Sequence, residues 1–163
     1  MKRYIHPIFE DIMCMSNIRG KKIKVPHAQE FSFYFSGRNS SHGIRVKPIF
    51  NPDKIRSDKV GTLKLCDDWE YTPGADDKRV SKSQVAEMKQ FFRDNLVLFA
   101  AVWDNQLYDS DLEDYLYGQI SLDELIHQLD FYSAYAAELD KVESVAELED
   151  FCRENELVNM YGN

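Results

Sequence analysis

The stretch FYFSGRNSSHGIRVKP, residues 33–48, joins two apolar runs through a polar segment rich in Gly and Ser. Over residues 31–35 a phenylalanine recurs at every second position, so the three rings share one face of an extended chain. Over residues 43–50 apolar and basic side chains alternate, which is typical of a strand with one buried and one solvated face. The stretch therefore predicts a β-hairpin.

The same segment contains the Gly and basic residues that phosphate-binding loops use. A P-loop has four residues between its glycines, a Lys after the second one, and a helix that follows. Here five residues separate Gly37 from Gly43, and the strand-like Ile44 comes next. We therefore predict a turn between two strands and no nucleotide-hydrolysing loop.

Other segments of the first half also resemble strands. KKIKV at 21–25 and VGTLKLCDDWEY at 60–71 are strand candidates, and prolines and glycines separate these runs. Residues 8–16 predict a short helix before them.

The second half contains four helix-start signals of the type Ser-x-x-Glu or Ser-x-x-Gln. In this capping box the Ser hydroxyl accepts a hydrogen bond from the third helical amide, and the Glu or Gln side chain accepts one from the Ser amide. The motifs are Ser81-x-x-Gln84, Ser110-x-x-Glu113, Ser121-x-x-Glu124 and Ser144-x-x-Glu147. Apolar periodicity after the first predicts a long helix over 82–104, and after the third a helix over 122–139.

Strands followed by helices are typical of the α+β class. We predict a small antiparallel sheet from about residue 21 to 72, packed on the long helix over 82–104, with an acidic helical region after it. In this scheme residues 1–106 form a basic α+β core. Residues 107–163 form an acidic helical subdomain that is packed on the core or appended to it.

The composition excludes several classes of protein. The 163 residues are 44% hydrophobic, enough for a buried core without covalent support. The three cysteines are far apart, with no CxxC and no histidine pair at metal-ligand spacing, so we expect no disulfide framework, no metal and no cofactor. No apolar run has the length of a signal peptide or of a membrane helix, which predicts a cytoplasmic protein without membrane association.

The net charge of −8 is unevenly distributed. Residues 1–100 contain 18 Lys and Arg and 12 Asp and Glu, whereas residues 101–163 contain 2 and 16. Such an asymmetry predicts a molecule with a positive and a negative region. The acids are either solvated outer faces of helices, partners for the protein's own basic strands, or a docking surface.

The function we favour from these observations is that of a non-enzymatic intracellular interaction or regulatory protein. Its acidic helical surface would engage a protein partner with a basic surface, and one version of this hypothesis is that the acids mimic nucleic-acid phosphates. The candidate partner-binding residues are Asp109, Asp111, Glu113, Asp114, Asp123 and Glu124. A calcium loop at 109–120 is excluded, because its sixth position needs Gly and is Asp114, and its twelfth needs Glu and is Ile120.

Two alternatives remain open from the sequence. The first is a nucleic-acid-binding module on the basic strand surface, although the overall acidity disfavours it. Its candidate residues are Arg38, His42, Arg45 and Lys47. The second is an enzyme whose dispersed site lies near His42 and Arg45, beside the Asp67–Asp68 pair, although no catalytic motif supports it. The sequence identifies neither the partner nor the oligomeric state.

Overall fold

The computed structural model describes residues 16–35, 43–50, 60–65, 68–77 and 79–160 of the chain. Within these residues a five-stranded antiparallel sheet is followed by six α-helices, which confirms the α+β class. The strands are β1 (Ser16–Ile18), β2 (Ser32–Phe35), β3 (Arg45–Ile49), β4 (Thr62–Lys64) and β5 (Tyr71–Thr72), and they lie in the sheet in chain order. The helices are α1 (Lys82–Asp94), α2 (Leu96–Trp103), α3 (Asp109–Leu116), α4 (Leu122–His127), α5 (Ala136–Leu139) and α6 (Val145–Glu154).

The predicted hairpin is confirmed by the pairing of β2 with β3. Tyr34 lies opposite Lys47, and Phe35 lies opposite Val46, while the connecting residues 36–42 are outside the described part of the chain. The phenylalanine face is buried as predicted. The opposite face of β3 is less exposed to solvent than predicted, since Lys47 on that face is only 6% exposed. Alternation identified the two faces correctly, but it does not report what covers the second one.

The segment at 21–25 is not a strand, so the sheet begins earlier than predicted, at Ser16. Residues Gly20–Lys22 form a 3-10 turn, in which the Lys22 amide donates to the Arg19 carbonyl at 3.0 Å. A Cβ on Gly20 would lie 1.7 Å from the carbonyl oxygen of Phe31. Only glycine permits this close approach to the chain entering β2, and the approach forces the turn.

The prediction of one strand over 60–71 was also wrong. Its two ends form the antiparallel pair β4 and β5, and the chain reverses between them. Trp69 in that reversal has a φ of 47°. The Lys64 amide donates to the Glu70 carbonyl at 3.0 Å, which closes the hairpin. The helix predicted over 8–16 falls outside the described residues up to 15, and Ser16 belongs to β1.

The long helix predicted over 82–104 is interrupted at Asn95. This residue is buried, has a φ of −117°, and its side-chain amide donates to the Phe91 carbonyl at 2.8 Å. The side chain thereby satisfies a carbonyl in the last turn of α1, and α2 begins at the next residue, Leu96. All eight residues of α2 are buried, which the predicted stripe of one apolar face did not anticipate.

Three of the four predicted helix caps are present. Ser81 and Gln84 form the full reciprocal capping box, whereas Ser121 and Ser144 each accept from the third helical amide without the return bond. The prediction at Ser110 was wrong, because a Ser110 cap implies a helix start at Asp111, whereas α3 begins two residues earlier, at Asp109, and Tyr108 stands at the cap position. The Asp109 carboxylate accepts a local hydrogen bond from the adjacent Ser110 amide at 2.9 Å.

The helix predicted over 122–139 is divided into α4, a 3-10 segment over Tyr132–Tyr135, and α5. Side chains across the break hold it in place. The Tyr132 hydroxyl donates to Asp140 at 2.7 Å, and the rings of His127 and Tyr132 lie 4.3 Å apart. An apolar pattern continued through this break, so periodicity alone predicted one helix.

The sheet packs against α1 and α2 through a cluster of phenylalanine rings with centroids 4.9–6.1 Å apart. These rings belong to Phe31, Phe33, Phe91, Phe92 and Phe99. On its other side α2 contacts α3 and α6, and the buried side chains form one continuous core. The division into residues 1–106 and 107–163 stays a prediction. None of the described helices combines the length and the apolarity needed to cross a membrane.

Candidate functional site

The acidic residues singled out in the sequence occur on two neighbouring helices. Helices α3 and α4 contact each other, and each begins with acidic residues, which the positive end of a helix dipole stabilises. Buried leucines on both helices anchor them to the core, so the polar residues face outward. We call the following six residues the acidic face: Asp109, Asp111, Glu113, Asp114, Asp123 and Glu124. Four of them are exposed, whereas Asp111 and Glu113 are half-buried.

The carboxylates on α3 are close enough to perturb one another. The pKa of Asp111 is raised, first by partial burial and then by the charges of Asp114 and Asp109. The pKa of Glu113 is raised by the same three causes and is lowered slightly by the charge of Lys22. Raised values mean that ionising these groups costs free energy in the folded protein. Asp111 and Glu113 thus bear a cost of partial burial and of repulsion from neighbouring carboxylates, which the Tyr108 backbone and Lys22 relieve only in part.

Ion pairs with the described cations do not neutralise most of this face. Among the described residues, no Lys or Arg nitrogen lies within 4.0 Å of five of its carboxylates, those of Asp111, Glu113, Asp114, Asp123 and Glu124. By contrast, Glu149 on α6 pairs with Arg153 at 3.8 Å.

One basic segment, residues 19–24, is attached to the end of α3 and forms no ion pair with its carboxylates among the described residues. The Arg19 amide donates to the Tyr117 hydroxyl at 2.8 Å, and the Lys24 amide donates to the Leu116 carbonyl at 2.8 Å. The Lys22 ammonium lies 5.7 Å from the centre of the Tyr117 ring. The basic and acidic regions therefore meet along one border, where Lys22 also acts on Glu113.

An exposed aromatic residue, Tyr108, stands at the start of α3 beside the acidic face. It is 62% exposed, unusual for a large hydrophobic side chain in this protein. It lines a polar pocket of about 270 Å³ together with Asn105, Gln106, Leu107, Gln128 and Asp130. Asn105 has a φ of 61°, which turns the chain there. The Asp130 amide donates a hydrogen bond to the Gln106 carbonyl at 2.8 Å. Sequence reasoning missed Tyr108, since nothing in the pattern marks it as exposed.

Two of the four residues of the nucleic-acid alternative lie in the described part of the chain. Arg38 and His42 lie outside the described residues. Arg45 is half-buried on β3, opposite Lys64 of β4. Lys47 is on the same strand face but is buried, so its ammonium is shielded from an external phosphate.

The enzyme alternative gains no geometric support from the described residues. His42 and Asp67 lie outside them, and the Asp68 carboxylate accepts from the Glu70 amide at 3.2 Å within the β4–β5 reversal. No group of three metal-ligating side chains occurs in the described part of the chain. Burial, and to a smaller extent Glu149, raises the pKa of the Cys152 thiol to about 12, which leaves it unreactive.

A partly buried tyrosine–aspartate pair, which the sequence did not reveal, lies next to the start of α1. The Tyr71 hydroxyl and the Gly74 amide both donate to Oδ2 of Asp77, each at 2.8 Å. Burial and the Asp77 charge raise the pKa of Tyr71, so this hydroxyl remains a donor. The pair borders a mainly apolar pocket of about 630 Å³. Because Asp77 binds Tyr71 of β5 and Gly74 after it, these bonds stabilise the turn that follows β5.

Comparison of the chain with protein-family models, with curated proteins and with solved structures gives no significant match. The function is therefore inferred from the surface that the fold creates.

Proposed function

We propose that the protein is a non-enzymatic interaction or regulatory protein that binds a protein partner with a basic surface through its acidic face. The observation that carries this proposal is the concentration of carboxylates on α3 and α4, five of which have no Lys or Arg nitrogen within 4.0 Å among the described residues: Asp111, Glu113, Asp114, Asp123 and Glu124. Their mutual repulsion is relieved when Lys or Arg side chains of another molecule approach.

The surroundings of the acidic face suit an Arg-rich partner better than a lysine-rich one. Tyr108 offers an exposed ring on which a guanidinium can stack, and Asp130 in the adjoining pocket supplies a carboxylate. Exposed aromatic residues frequently dominate the binding energy of protein interfaces. We therefore place the centre of the interface at Tyr108, with the carboxylates of α3 and α4 around it.

The same surface predicts how association depends on salt. Long-range attraction between an acidic face and a basic partner accelerates encounter, and salt screens it over about 8–10 Å at physiological ionic strength. An intracellular, cytoplasmic setting belongs to this proposal, because Cys152 is a buried free thiol and the sequence has no paired cysteine spacing.

The experiment is capture of partners from native extract on the immobilised protein at low and at high salt. The test variant carries Asp114→Asn, Asp123→Asn and Glu124→Gln on exposed residues of the acidic face. The control carries Glu138→Gln, Asp150→Asn and Glu154→Gln, an equal change of charge on exposed residues of α5 and α6.

We expect one protein to be retained at low salt by the wild type and by the control, and to be lost from the test variant and at high salt. If the wild type retains no protein at low salt, or if the two variants lose it equally, the acidic face is not the binding surface.

A further inference from the structure

A second charged feature lies on the opposite side of the border between the basic and acidic regions. A pocket of about 870 Å³ opens between the β1–β2 edge, the 3-10 turn and the start of α1. Three cations line it: Arg19, Lys21 and Lys22. Glu30 is the one acidic residue among its described lining residues. The volume is within the usual range for small-molecule sites.

The three cations are exposed, and none has a carboxylate oxygen within 4.0 Å among the described residues. Like charges gathered around one concavity repel each other, and an anion in the pocket removes that cost. The pocket is thus positive in a protein whose net charge is −8.

The backbone that carries these cations is held rigidly. The Gly20 amide donates to the buried Ser32 hydroxyl at 3.2 Å, and the missing Cβ of Gly20 lets the turn lie directly on β2. From the other side, the Tyr117 hydroxyl accepts from the Arg19 amide. Because the turn is fixed by these contacts, little conformational entropy is lost when the cations engage a ligand.

The floor of the pocket is aromatic. Phe31 is buried, Phe50 is half-buried, and their ring centroids lie 5.9 Å apart. A fully hydrated anion such as phosphate gains nothing from this surface, whereas a planar base attached to a phosphate covers it. The partly exposed ring of Phe50 is the available stacking surface.

From three exposed cations without an ion-pair carboxylate among the described residues, above an aromatic floor, we propose that this pocket binds a nucleotide unit, with its phosphates on Arg19, Lys21 and Lys22 and its base against Phe50. The unit is either a free nucleotide or part of a single strand. This inference is independent of the proposed function, since it uses none of the acidic face.

The test is isothermal titration calorimetry of the full chain at about 0.15 M ionic strength. Four probes separate the contributions: ATP, adenosine, inorganic pyrophosphate and an octathymidylate strand. The test variant is Arg19→Gln with Lys21→Gln, which keeps the side-chain stems and the backbone bonds of the turn. The control is Lys64→Gln with Lys141→Gln, which removes the same charge from exposed residues outside the pocket.

We expect ATP or the strand to bind saturably, more tightly than pyrophosphate, while adenosine does not bind. The test variant should weaken binding about tenfold or more, and the control should leave it unchanged. Tighter binding of ATP than of the strand identifies a free nucleotide, and the reverse identifies a single strand. The proposal is overturned if neither ATP nor the strand binds, if pyrophosphate binds as tightly as both, or if test and control variants behave alike.

Discussion

Replacement of Gly20 by alanine tests the contact that shapes both the sheet edge and the cationic pocket. The new Cβ would lie 1.7 Å from the Phe31 oxygen and 2.4 Å from the Ala28 oxygen, both backbone atoms that no rotamer change can move away. Separating the two segments costs about 1–3 kcal/mol, with the short distances favouring the upper end. Loss of the bond from the Gly20 amide to Ser32 adds about 1 kcal/mol.

The lower entropy of unfolded alanine offsets about 0.4–1 kcal/mol of this cost. We therefore expect Gly20→Ala to lower the free energy of unfolding by about 3 kcal/mol. The matched control is Gly118→Ala. There the φ of +75° causes strain of about 1 kcal/mol, and the nearest atom at 3.0 Å is Cγ of the flexible Lys24 side chain.

The assay is equilibrium urea unfolding of both variants and of the wild type, monitored by tryptophan fluorescence. Equal losses for the two glycines, or an unchanged midpoint for Gly20→Ala, would show that the turn does not lie on β2 as described.

Three further predictions concern other parts of the chain. Because the folded-state pKa values of Asp111 and Glu113 are raised, their ionisation destabilises the fold at neutral pH. The free energy of unfolding should therefore rise as the pH falls from 7 through these pKa values, because both groups become protonated. Urea unfolding at several pH values should show a smaller rise in the double variant Asp111→Asn, Glu113→Gln. Replacing Asn95 by Ala removes its hydrogen bond to the Phe91 carbonyl and should lower the free energy of unfolding, measured by thermal denaturation, by about 1–2 kcal/mol. An unchanged stability would contradict the role assigned to Asn95 at the break between α1 and α2. The Cys152 thiol should react with a disulfide reagent in urea but only slowly in the native protein, and rapid native reaction would show that it is accessible.

The elements that short-range patterns define were predicted well. The alternation in residues 31–35 and 43–50 predicted the β2–β3 pair, and Ser81 with Gln84 predicted the start of α1 to the residue. These features depend on neighbours two to four positions away, which the sequence displays directly.

The errors arose where a distant contact decides the local structure. The turn at Gly20 depends on the Phe31 carbonyl, and the burial of Lys47 depends on tertiary packing over that strand face. For the same reason the exposed Tyr108 could not be distinguished from the buried aromatics. The break at Asn95 is a local exception, because it depends on one side-chain hydrogen bond to the Phe91 carbonyl that hydrophobic periodicity does not encode.

The acidic face was predictable as a set of residues but not as a surface. Charge counting located the excess of carboxylates after residue 100, while the fold was needed to show which of them lack an ion pair with the described Lys and Arg residues and which, like Glu149, have one. The cationic pocket combines residues from β1, the 3-10 turn, β2 and α1, so no single stretch of sequence contains it.

The central claim is that Asp111, Glu113 and Asp114 on α3, which form no ion pair with the described Lys and Arg residues, carry charge available to a basic partner. Its most direct test is carbon-detected NMR titration of the side-chain carboxyl groups of Asp111 and Glu113 in the isolated protein at low salt. We predict that both groups titrate above the ordinary pKa values of Asp and Glu. Titration of both groups below those values would mean that the protein's own cations already neutralise the acidic face, which contradicts the account.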